Sequence, residues 1–533
     1  MAFRRICVLL LAVSVAACAK PPGGGSDVRT LNAGAAIAPN SFDPVLVTES
    51  IENTLDRLVF NGLTEEDNAG RIIPDLATAV PSAANHGITD GGRTITYHLR
   101  RGVAWQDGVP FTSADVAFSW RAIMNPNTTV GNRVPYDEVA RVDTSDPYTV
   151  VFRLKEPYAP FVAEAFNSST VAFVVPAHLL QRYHDLNRVP FNQAPIGTGP
   201  YRLVRWLRGD RIEFEANARY FKGAPKIPRI VVHEIPQENT GVTEMQTHEL
   251  DWYTALSEAS YAQLHDTADV RLVVTQQNSY RGLWINNQRP LLTDARVRRA
   301  IAYAIDKKMM VDKVTHGTGT VATEDIPRFM WAYDASVPTY AYDPEKARAL
   351  LREAGWRPGS DGTLAKNGQP LAMTLVLRQG AVGDAAMAVL VQGWLRAVGM
   401  RIGIKPYPGS TLFALGPGGV LNPGKYDIDI SGFSSAYDPD NSVQFACANR
   451  PPNGFNWTRY CSAQMDRLQH EAISTNDRTA RKAAYAKIET LLATDVPQIF
   501  FYYQPAIEAV ATRVKNFRPS PISPTWNAEQ WSL

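Results

Sequence analysis

Hydrophobic and polar positions along the chain predict short strands and helices in mixed order. Ile95, Tyr97 and Leu99 alternate with other residues, as in a strand with one buried face. Near mid-chain, the apolar run 283–285 predicts a strand, and the residues after it are apolar at every third or fourth position, which predicts a helix. The apolar stripe of this helix consists of Val297, Ala300, Ile301, Ala304, Ile305 and Met309. The sequence therefore predicts an α/β fold with a strand-to-helix element at its centre.

The start of the central helix is also predicted. Thr293 and Asp294 are both good N-cap residues, and either one can begin the helix. Arg296, Arg298 and Arg299 fall off the apolar stripe, so we expect all three side chains to face water.

The same patterns predict elements elsewhere in the chain. A cap at Thr112 or Ser113 begins a further helix. The other predicted helices cover 50–59 and 483–492, and the other predicted strands cover 149–154, 371–377, 426–430 and 499–503.

The first residues indicate export. Arg4 and Arg5 precede the apolar run 6–15, which is too short to span a bilayer but typical of a signal peptide. The run leads into Val-Ala-Ala-Cys ending at Cys18, the pattern of a lipobox in which this cysteine is acylated; an ordinary signal peptide with a chance cysteine is the alternative. We therefore expect a signal peptide at 1–17 and a flexible Pro- and Gly-rich tether at 18–26.

Composition narrows the class of protein. A chain of 533 residues is longer than one core usually serves, so two or three domains are expected. The formal net charge is only +2, and no basic run indicates nucleic-acid binding. Of the four cysteines, Cys7 lies in the expected signal peptide and Cys18 is the expected lipid acceptor, which leaves Cys447 and Cys461. In an oxidising compartment these two most simply form a disulfide, and a metal site is the weaker alternative.

Motifs for catalysis are missing from the sequence. It contains no G-x-S-x-G elbow, no Walker loop and no complete zinc motif, since His248-Glu249 lacks a second histidine at the required spacing. Scattered carboxylates leave a glycosidase pair open. We predict no catalytic residue, no metal ligand and no cofactor.

Four motifs carry a resemblance to a known family. They are the run from Leu99 to Val116 (L-R-x-G-V-x-W-x-D-G-x-P-x-T-x-x-D-V), F-D-P at 42–44, G-T-G-P-Y at 197–201 and N-x-x-x-P-x-x-x-D-x-R-V-R-x-A-I-x-x-A-I-D at 286–306. Together they resemble the peptide/nickel-type (family 5) extracellular solute-binding proteins of ABC importers, and the likeness covers nearly the whole chain after the leader.

The resemblance implies a two-lobed periplasmic-binding-protein fold of type II, the Venus-flytrap fold, with an extra α/β subdomain in the first lobe. The expected first lobe covers 27–284, with its core at 27–60 and 191–284 and the subdomain at 61–190. The expected second lobe covers 285–503, and 504–533 returns to the first. Near 283–287 and 500–504 the chain is expected to form the hinge.

The resemblance also implies a function. We expect a non-enzymatic, monomeric protein, outside the cytoplasm and held to a membrane by its lipid, that captures a peptide or similar small solute and delivers it to the permease and ATPase subunits of an importer. A sensory binding protein coupled to a receptor is the alternative, and a secreted hydrolase is a weaker one.

Candidate ligand contacts follow from the resemblance and from position. The loop after the strand at 426–430 is glycine-containing and aromatic, as ligand-facing loops at strand ends often are. In the family this loop carries an aspartate that binds a peptide's amino terminus; Ala436 matches that position, and Asp438 or Asp440 is a possible substitute. The expected contacts are Thr48, Glu49, Ser50, Phe433, Ser434, Ser435, Tyr437 and Asp438, with Trp284 as a weaker candidate. In the family a disulfide follows the loop, where Cys447 and Cys461 lie.

Overall fold

The computed structural model describes residues 29–533, with the exception of Thr48, 131–132, 169–172, Ala436 and the side chain of Val382. Several of its helices start at side chains suited to capping, such as Asp294, whose carboxylate accepts from the Arg296 amide at 2.9 Å. In chain order the helices are α1 Ser50–Val59, α2 Ser113–Met124, α3 Phe161–Glu164, α4 Ala177–Leu180, α5 Glu238–Gln246, α6 Glu258–Leu264, α7 Ala295–Ala304, α8 Lys307–Val314, α9 Pro344–Glu353, α10 Val382–Ala397, α11 Gly409–Leu412, α12 Ser442–Phe445, α13 Ala463–Ile473 and α14 Arg478–Asp495.

The strands alternate with these helices along the chain, as predicted for an α/β fold. They are β1 Thr30–Ala35, β2 Thr64–Glu66, β3 Ile72–Pro74, β4 Ile88–Thr89, β5 Thr94–His98, β6 Val139–Asp146, β7 Thr149–Leu154, β8 Tyr201–Leu207, β9 Arg211–Ala216, β10 Arg229–Glu234, β11 Trp252–Tyr253, β12 Val270–Ile285, β13 Thr320–Val321, β14 Arg357–Pro358, β15 Leu364–Lys366, β16 Gln369–Pro370, β17 Ala372–Arg378, β18 Arg401–Tyr407, β19 Ile428–Ser434 and β20 Gln498–Ala511.

One sheet runs through the molecule. Its strands lie in the order β18-β17-β19-β12-β20-β11-β1-β10-β9-β8, and β13 pairs with β20 beside them. The two long strands β12 and β20 are antiparallel neighbours along most of their length. Because one end of β12 lies beside β19 and the start of β20, and its other end lies beside the end of β20, these two strands join the two halves of the sheet.

The buried side chains divide the molecule into two parts. Two apolar clusters combine residues from Leu31 to Val273 with residues from Ile507 to the C-terminus. One residue from outside these ranges, Ile473, packs against the surface of one cluster. Three other clusters use residues from Tyr280 to Tyr503. We call these parts the first lobe and the second lobe. The change from one lobe to the other coincides with a register shift in β12 between Gln276 and Tyr280.

The first lobe contains a smaller sheet of its own. Its four strands lie in the order β4-β5-β7-β6, and α2 packs against β6 and β7. Helix α2 begins with a capping box in which the Thr112 amide donates to Asp115 at 2.9 Å. The signature run 99–116 therefore builds a strand end, a turn and a helix start.

Two expectations for the central helix are wrong. The helix ends at Ala304, so Met309 lies in the next helix and is 42% exposed. Arg298 is buried, because its guanidinium donates to the carbonyl oxygens of Leu292, Thr293, Asp495 and Val496. A side chain off the apolar stripe is thus buried by satisfying backbone acceptors that periodicity does not reveal.

The expected hinge segment 283–287 also differs from the observed arrangement. Leu283 and Ile285 lie in the core of the second lobe, and the strand that contains them begins much earlier, at Val270. Because the residues from Thr275 to Ser279 are polar, the sequence pattern does not show that one strand continues from lobe to lobe.

Other expectations concern the cysteines and the membrane. Cys447 and Cys461 form the predicted disulfide. Cys18 lies outside the described residues, so its predicted lipidation stays a prediction. In the described part of the chain no helix combines the length and the apolar character needed to cross a membrane.

Candidate functional site

The candidate site is the loop that leaves the carboxyl end of β19. Strands β17, β18 and β19 are parallel, so their carboxyl ends meet at one edge of the second lobe, where α/β folds commonly bind ligands. Phe433 packs on the neighbouring apolar cluster, Ser434 is exposed, and Ser435 is half-buried. The loop follows a strand end, as the sequence predicts, although β19 begins two residues later and ends four residues later than the predicted strand 426–430, so that Phe433 and Ser434 lie in the strand.

Hydrogen bonds tie this loop to the strands that join the lobes. The Ser434 hydroxyl donates to Ser279 Oγ at 3.1 Å, and the Ser279 hydroxyl donates to Gln504 Oε1 at 2.8 Å. The Ser435 amide donates to the carbonyl oxygen of Asn278 at 2.9 Å. A movement of the connecting strands is therefore coupled directly to the position of the loop.

Tyr437 places the loop against the first lobe. Its side chain is 9% exposed and faces Gly70 in the turn between β2 and β3. A Cβ on Gly70 would lie 3.2 Å from Tyr437 Cε2, and the φ of +70° at Gly70 is in the region that glycine adopts without strain. The close approach of the two lobes here depends on the absence of a side chain at residue 70.

Asp438 is held inside the second lobe. Its Oδ1 accepts from Arg481 Nη2 at 2.6 Å, and both side chains are buried. Burial by itself lowers the pKa of Arg481, but the Asp438 carboxylate beside it raises that pKa above its usual range. The Arg481 Nε group also donates to the Ala472 carbonyl at 2.7 Å. Because its carboxylate is already paired, Asp438 is poorly placed to serve as a substitute amine anchor, and its predicted ligand contact stays a prediction.

Carboxyl groups from the two lobes approach each other beside this ion pair. The Tyr158 hydroxyl lies 3.2 Å from Glu164 Oε2 in the first lobe and 3.4 Å from Asp440 Oδ2 in the second. Burial raises the pKa of Glu164, and the nearby Asp438 and Asp440 carboxylates raise it further. Burial likewise raises the pKa of Asp440. The interface between the lobes is therefore rich in acid.

A further acidic side chain, that of Glu66, interacts electrostatically with Tyr437. Burial raises the pKa of Glu66 to about 8, while Arg57 lowers it and Asp67 raises it. Burial also raises the pKa of the Tyr437 phenol, with the Glu66 charge adding to the effect. Protons or positively charged groups are thus the species that this interface stabilises.

The remaining predicted contacts are not joined to the loop by any hydrogen bond or ion pair between described residues. Thr48 lies outside those residues, as does Ala436. Glu49 caps α1, its amide donating to Glu52 Oε2 at 2.8 Å, and Ser50 is the exposed first residue of that helix. Their ligand contacts stay predictions.

Trp284 lies in the interior of the second lobe. Its ring is 2% exposed and packs on Trp457, with 5.1 Å between ring centroids. Phe433 is opposite Tyr280 in the sheet, and Trp284 is four residues further along β12, which at about 3.3 Å per residue is about 13 Å away. The structure therefore places Trp284 as a packing residue, as its position in a strand core favours.

Several residues of the site carry no recognisable sequence signal. Gly70, Tyr158, Glu164 and Arg481 each lie far along the chain from the loop, and only the tertiary structure brings them to it. Among the described residues no group of three or more His, Cys, Asp or Glu side chains has the arrangement to hold a metal ion.

Comparison with known proteins gives relatives that span the whole molecule. The oligopeptide-binding protein AppA of Bacillus subtilis is 27% identical over 96% of this chain and 92% of its own. The dipeptide-binding protein of Escherichia coli is 27% identical, and the match covers 91% of each chain.

Two solved structures have the same fold. AppA of Bacillus subtilis in complex with a nonapeptide superimposes with a TM-score of 0.77 at 27% identity, covering 95% of this chain and 98% of AppA. NikZ of Campylobacter jejuni in complex with Ni(L-His) superimposes with a TM-score of 0.79 at 26% identity, covering 95% of this chain and all of NikZ. The predicted α/β fold class is confirmed.

Residues 71–453 match the family described as "Bacterial extracellular solute-binding proteins, family 5 Middle". This segment includes the smaller sheet of the first lobe, the position Gln276–Tyr280 at which β12 changes lobe, and the loop at 433–438. The protein is therefore a member of the family 5 bacterial extracellular solute-binding proteins, a family of non-enzymatic binding proteins.

Proposed function

We propose that this protein is the extracytoplasmic solute-binding component of an ABC importer and that it captures a peptide or peptide-like solute between its lobes. The observation that carries the proposal is the loop at 433–438, which lies at the carboxyl edge of the second lobe, is hydrogen-bonded to β12 and through Ser279 to Gln504 of β20, and faces the first lobe through Tyr437. Relatives with the same fold bind a nonapeptide or a nickel–histidine complex in that fold.

The proposed mechanism is capture by closure. The chain changes lobe at Gln276–Tyr280 in β12 and near Gln504 in β20, where the register of the two strands shifts. Because Ser279 is hydrogen-bonded both to the loop and to Gln504, rotation about these positions moves the loop. Solute stabilises the closed form only as far as it binds that form better than the open one.

Phe433, Ser434 and Ser435 are the proposed contacts to a solute. The two serines and the backbone around them offer hydrogen bonds that suit an extended peptide main chain, which tolerates varied side chains. Phe433, half-buried at the same edge, offers an apolar surface. Since Ala436 replaces the acid expected there, recognition of a free amine is not assigned to that position.

Native mass spectrometry of the purified, undenatured chain tests the proposal. We expect adducts whose masses differ by amino-acid residues, and we expect added nonapeptide to replace them. Phe433→Ala should lose the adducts, whereas Phe455→Ala, at an aromatic residue that is 54% exposed elsewhere on the second lobe, should keep them. Binding of Ni(L-His) with no binding of peptide would contradict the peptide assignment, and adducts unaffected by Phe433→Ala would contradict the site.

A further inference from the structure

One phenol hydroxyl joins carboxyl groups of opposite lobes. Tyr158 Oη is within hydrogen-bonding distance of Glu164 Oε2 and of Asp440 Oδ2, at 3.2 and 3.4 Å. A phenol has one proton to donate, so it can satisfy only one of these oxygens at a time. The two carboxyl groups therefore lie within two hydrogen-bond lengths of each other, with one donor between them.

Among the described residues, negative charge exceeds positive charge around this contact. Arg481 is the cation that faces it, and its Nη2 is engaged by Asp438 at 2.6 Å. The Tyr485 hydroxyl lies 3.5 Å from Asp438 Oδ1, on the same side as Arg481. The Ser442 amide donates to Asp440 Oδ1 at 2.9 Å. These groups come from the loop and its continuation to the start of α12 and from α14, and among the described residues they supply one positive charge near three carboxyl groups.

The contact exists only when the lobes are together. The neighbouring Ala159 amide donates to the carbonyl oxygen of Ile473 in the second lobe at 2.7 Å. Close by, Gly92 of the first lobe is packed against Asn476, since a Cβ on the glycine would lie 2.6 Å from Asn476 Nδ2. Opening the lobes breaks these contacts and separates Asp440 from Tyr158 and Glu164.

We propose that Tyr158, Glu164 and Asp440 form a proton-sensitive clasp, which holds the lobes closed when one of the two carboxyl groups is protonated and weakens when both are ionised. A protonated carboxyl group can donate a hydrogen bond to the phenol oxygen while the phenol donates to the other carboxylate, and protonation removes the repulsion between the like charges. This inference rests on the proposed capture by lobe closure and adds to it a control of closure by pH.

The direction of the effect follows from linkage. Burial in the closed form raises the pKa of Glu164, and Asp438 and Asp440 raise it further, whereas an open cleft would return this carboxyl group to water. The closed form therefore holds more protons than the open form. Closure is favoured at low pH and weakens as the pH rises from the ordinary carboxyl range through the raised pKa, by up to about tenfold per pH unit for each proton taken up.

Hydrogen exchange at the Ala159 amide measures the clasp directly, because this amide donates across the lobes. The purified full chain, free of adducts by native mass spectrometry, is compared at pH 8 and pH 6 after correction for intrinsic exchange rates. We expect protection of the segment containing Ala159 to be several-fold greater at pH 6, and the radius of gyration from X-ray scattering to be smaller.

The variants separate the clasp from general effects of pH. In Glu164→Gln the amide supplies a donor and has no charge, so protection at pH 8 should match that of the unmodified protein at pH 6. Glu156→Gln removes an exposed carboxylate that pairs with Arg93 nearby, and it should keep the full pH dependence. Asp440→Asn tests the same contact from the other lobe if Glu164→Gln fails to fold.

Equal protection at both pH values in the unmodified protein would overturn the proposal. An undiminished pH dependence in Glu164→Gln, or in Asp440→Asn, would also overturn it. Since no solute is added, these results leave the transport function standing. Conversely, failure to find any bound or binding solute would challenge the proposed function without bearing on the clasp.

Discussion

Two clusters of buried charge serve the molecule differently. Inside the first lobe, Lys222 Nζ pairs with Glu65 and, at 2.6 Å, with Asp75, and Arg57 pairs with Glu65 at 3.2 Å. Asn61 adds hydrogen bonds to both oxygens of Asp75 at 3.1 and 3.0 Å. This network has two cations and two carboxylates, so its charges cancel within a single lobe.

Among the described residues, the cluster between the lobes has more carboxyl groups than cations. Asp438 and Arg481 form one complete pair within the second lobe, while Glu164 and Asp440 meet across the interface with a single phenol between them. A balanced network stabilises one arrangement, because a buried charge that loses its partner is costly. An unbalanced interface can instead make the arrangement depend on protons or on a bound group. The following predictions test this difference.

The largest expected effect is in the balanced network. Lys222→Met leaves Glu65 and Asp75 without the ammonium group that joins them, and we expect it to lower the free energy of unfolding by about 3–5 kcal/mol. Urea unfolding followed by circular dichroism measures this change.

Lys308→Met is the matched control for that experiment. Lys308 pairs with Asp312 at 3.0 Å, but its side chain is 82% exposed, so its loss should leave the unfolding midpoint unchanged. Similar midpoints for the two variants would contradict a stabilising role for the Lys222 network.

The next effect is in the complete pair of the second lobe. Asp438→Asn keeps an acceptor for Arg481 but removes the charge, and we expect a loss of about 2–3 kcal/mol of unfolding free energy. Asp361→Asn, in an exposed pair with Arg401, should cause no measurable loss. If Asp438→Asn were as stable as the parent at neutral pH, the buried pair would not be the element that fixes the loop.

A smaller effect is expected where the lobes touch. Gly70→Ala introduces a Cβ at a φ of +70°, at a cost of about 1 kcal/mol, and places it 3.2 Å from Tyr437 Cε2. Gly102→Ala has the same kind of backbone strain, at a φ of +78°, with nothing within 4 Å. Both variants should lose similar stability, but only Gly70→Ala should enlarge the radius of gyration in X-ray scattering. Equal scattering from the two would show that closure does not depend on this contact.

The smallest effect tests the helix that carries Arg481. Asp477 is the N-cap of α14, and its Oδ1 accepts from the Thr479 amide at 2.9 Å and the Ala480 amide at 3.3 Å. Asp477→Ala should lower the unfolding free energy by about 1 kcal/mol, and Asp477→Asn, which keeps an acceptor, should restore most of it. Thermal unfolding of the parent protein and of the two variants measures these changes. If Asp477→Asn were no more stable than Asp477→Ala, the result would argue against capping.

Local signals predicted local structure well. The capping residue Asp294 and the alternation along 149–154 each act within a few residues, so α7 and β7 begin where the sequence predicts. The disulfide followed from cysteine count, because Cys447 and Cys461 are the two cysteines that follow the expected lipid acceptor Cys18. Arg298 and the true length of β12 were missed, since carbonyl partners and strand continuity depend on segments elsewhere in the chain.

The candidate site shows the same division. The sequence by itself determined a strand end with a loop of the right composition at 433–438 and the family to which the protein belongs. Only the tertiary structure decided that Asp438 is paired with Arg481, that Tyr437 faces Gly70 and that Glu164 meets Asp440 across the interface. The reason is that charge pairing and close approach are properties of distances between residues tens to hundreds of positions apart, which periodicity and motif spacing along one chain do not encode.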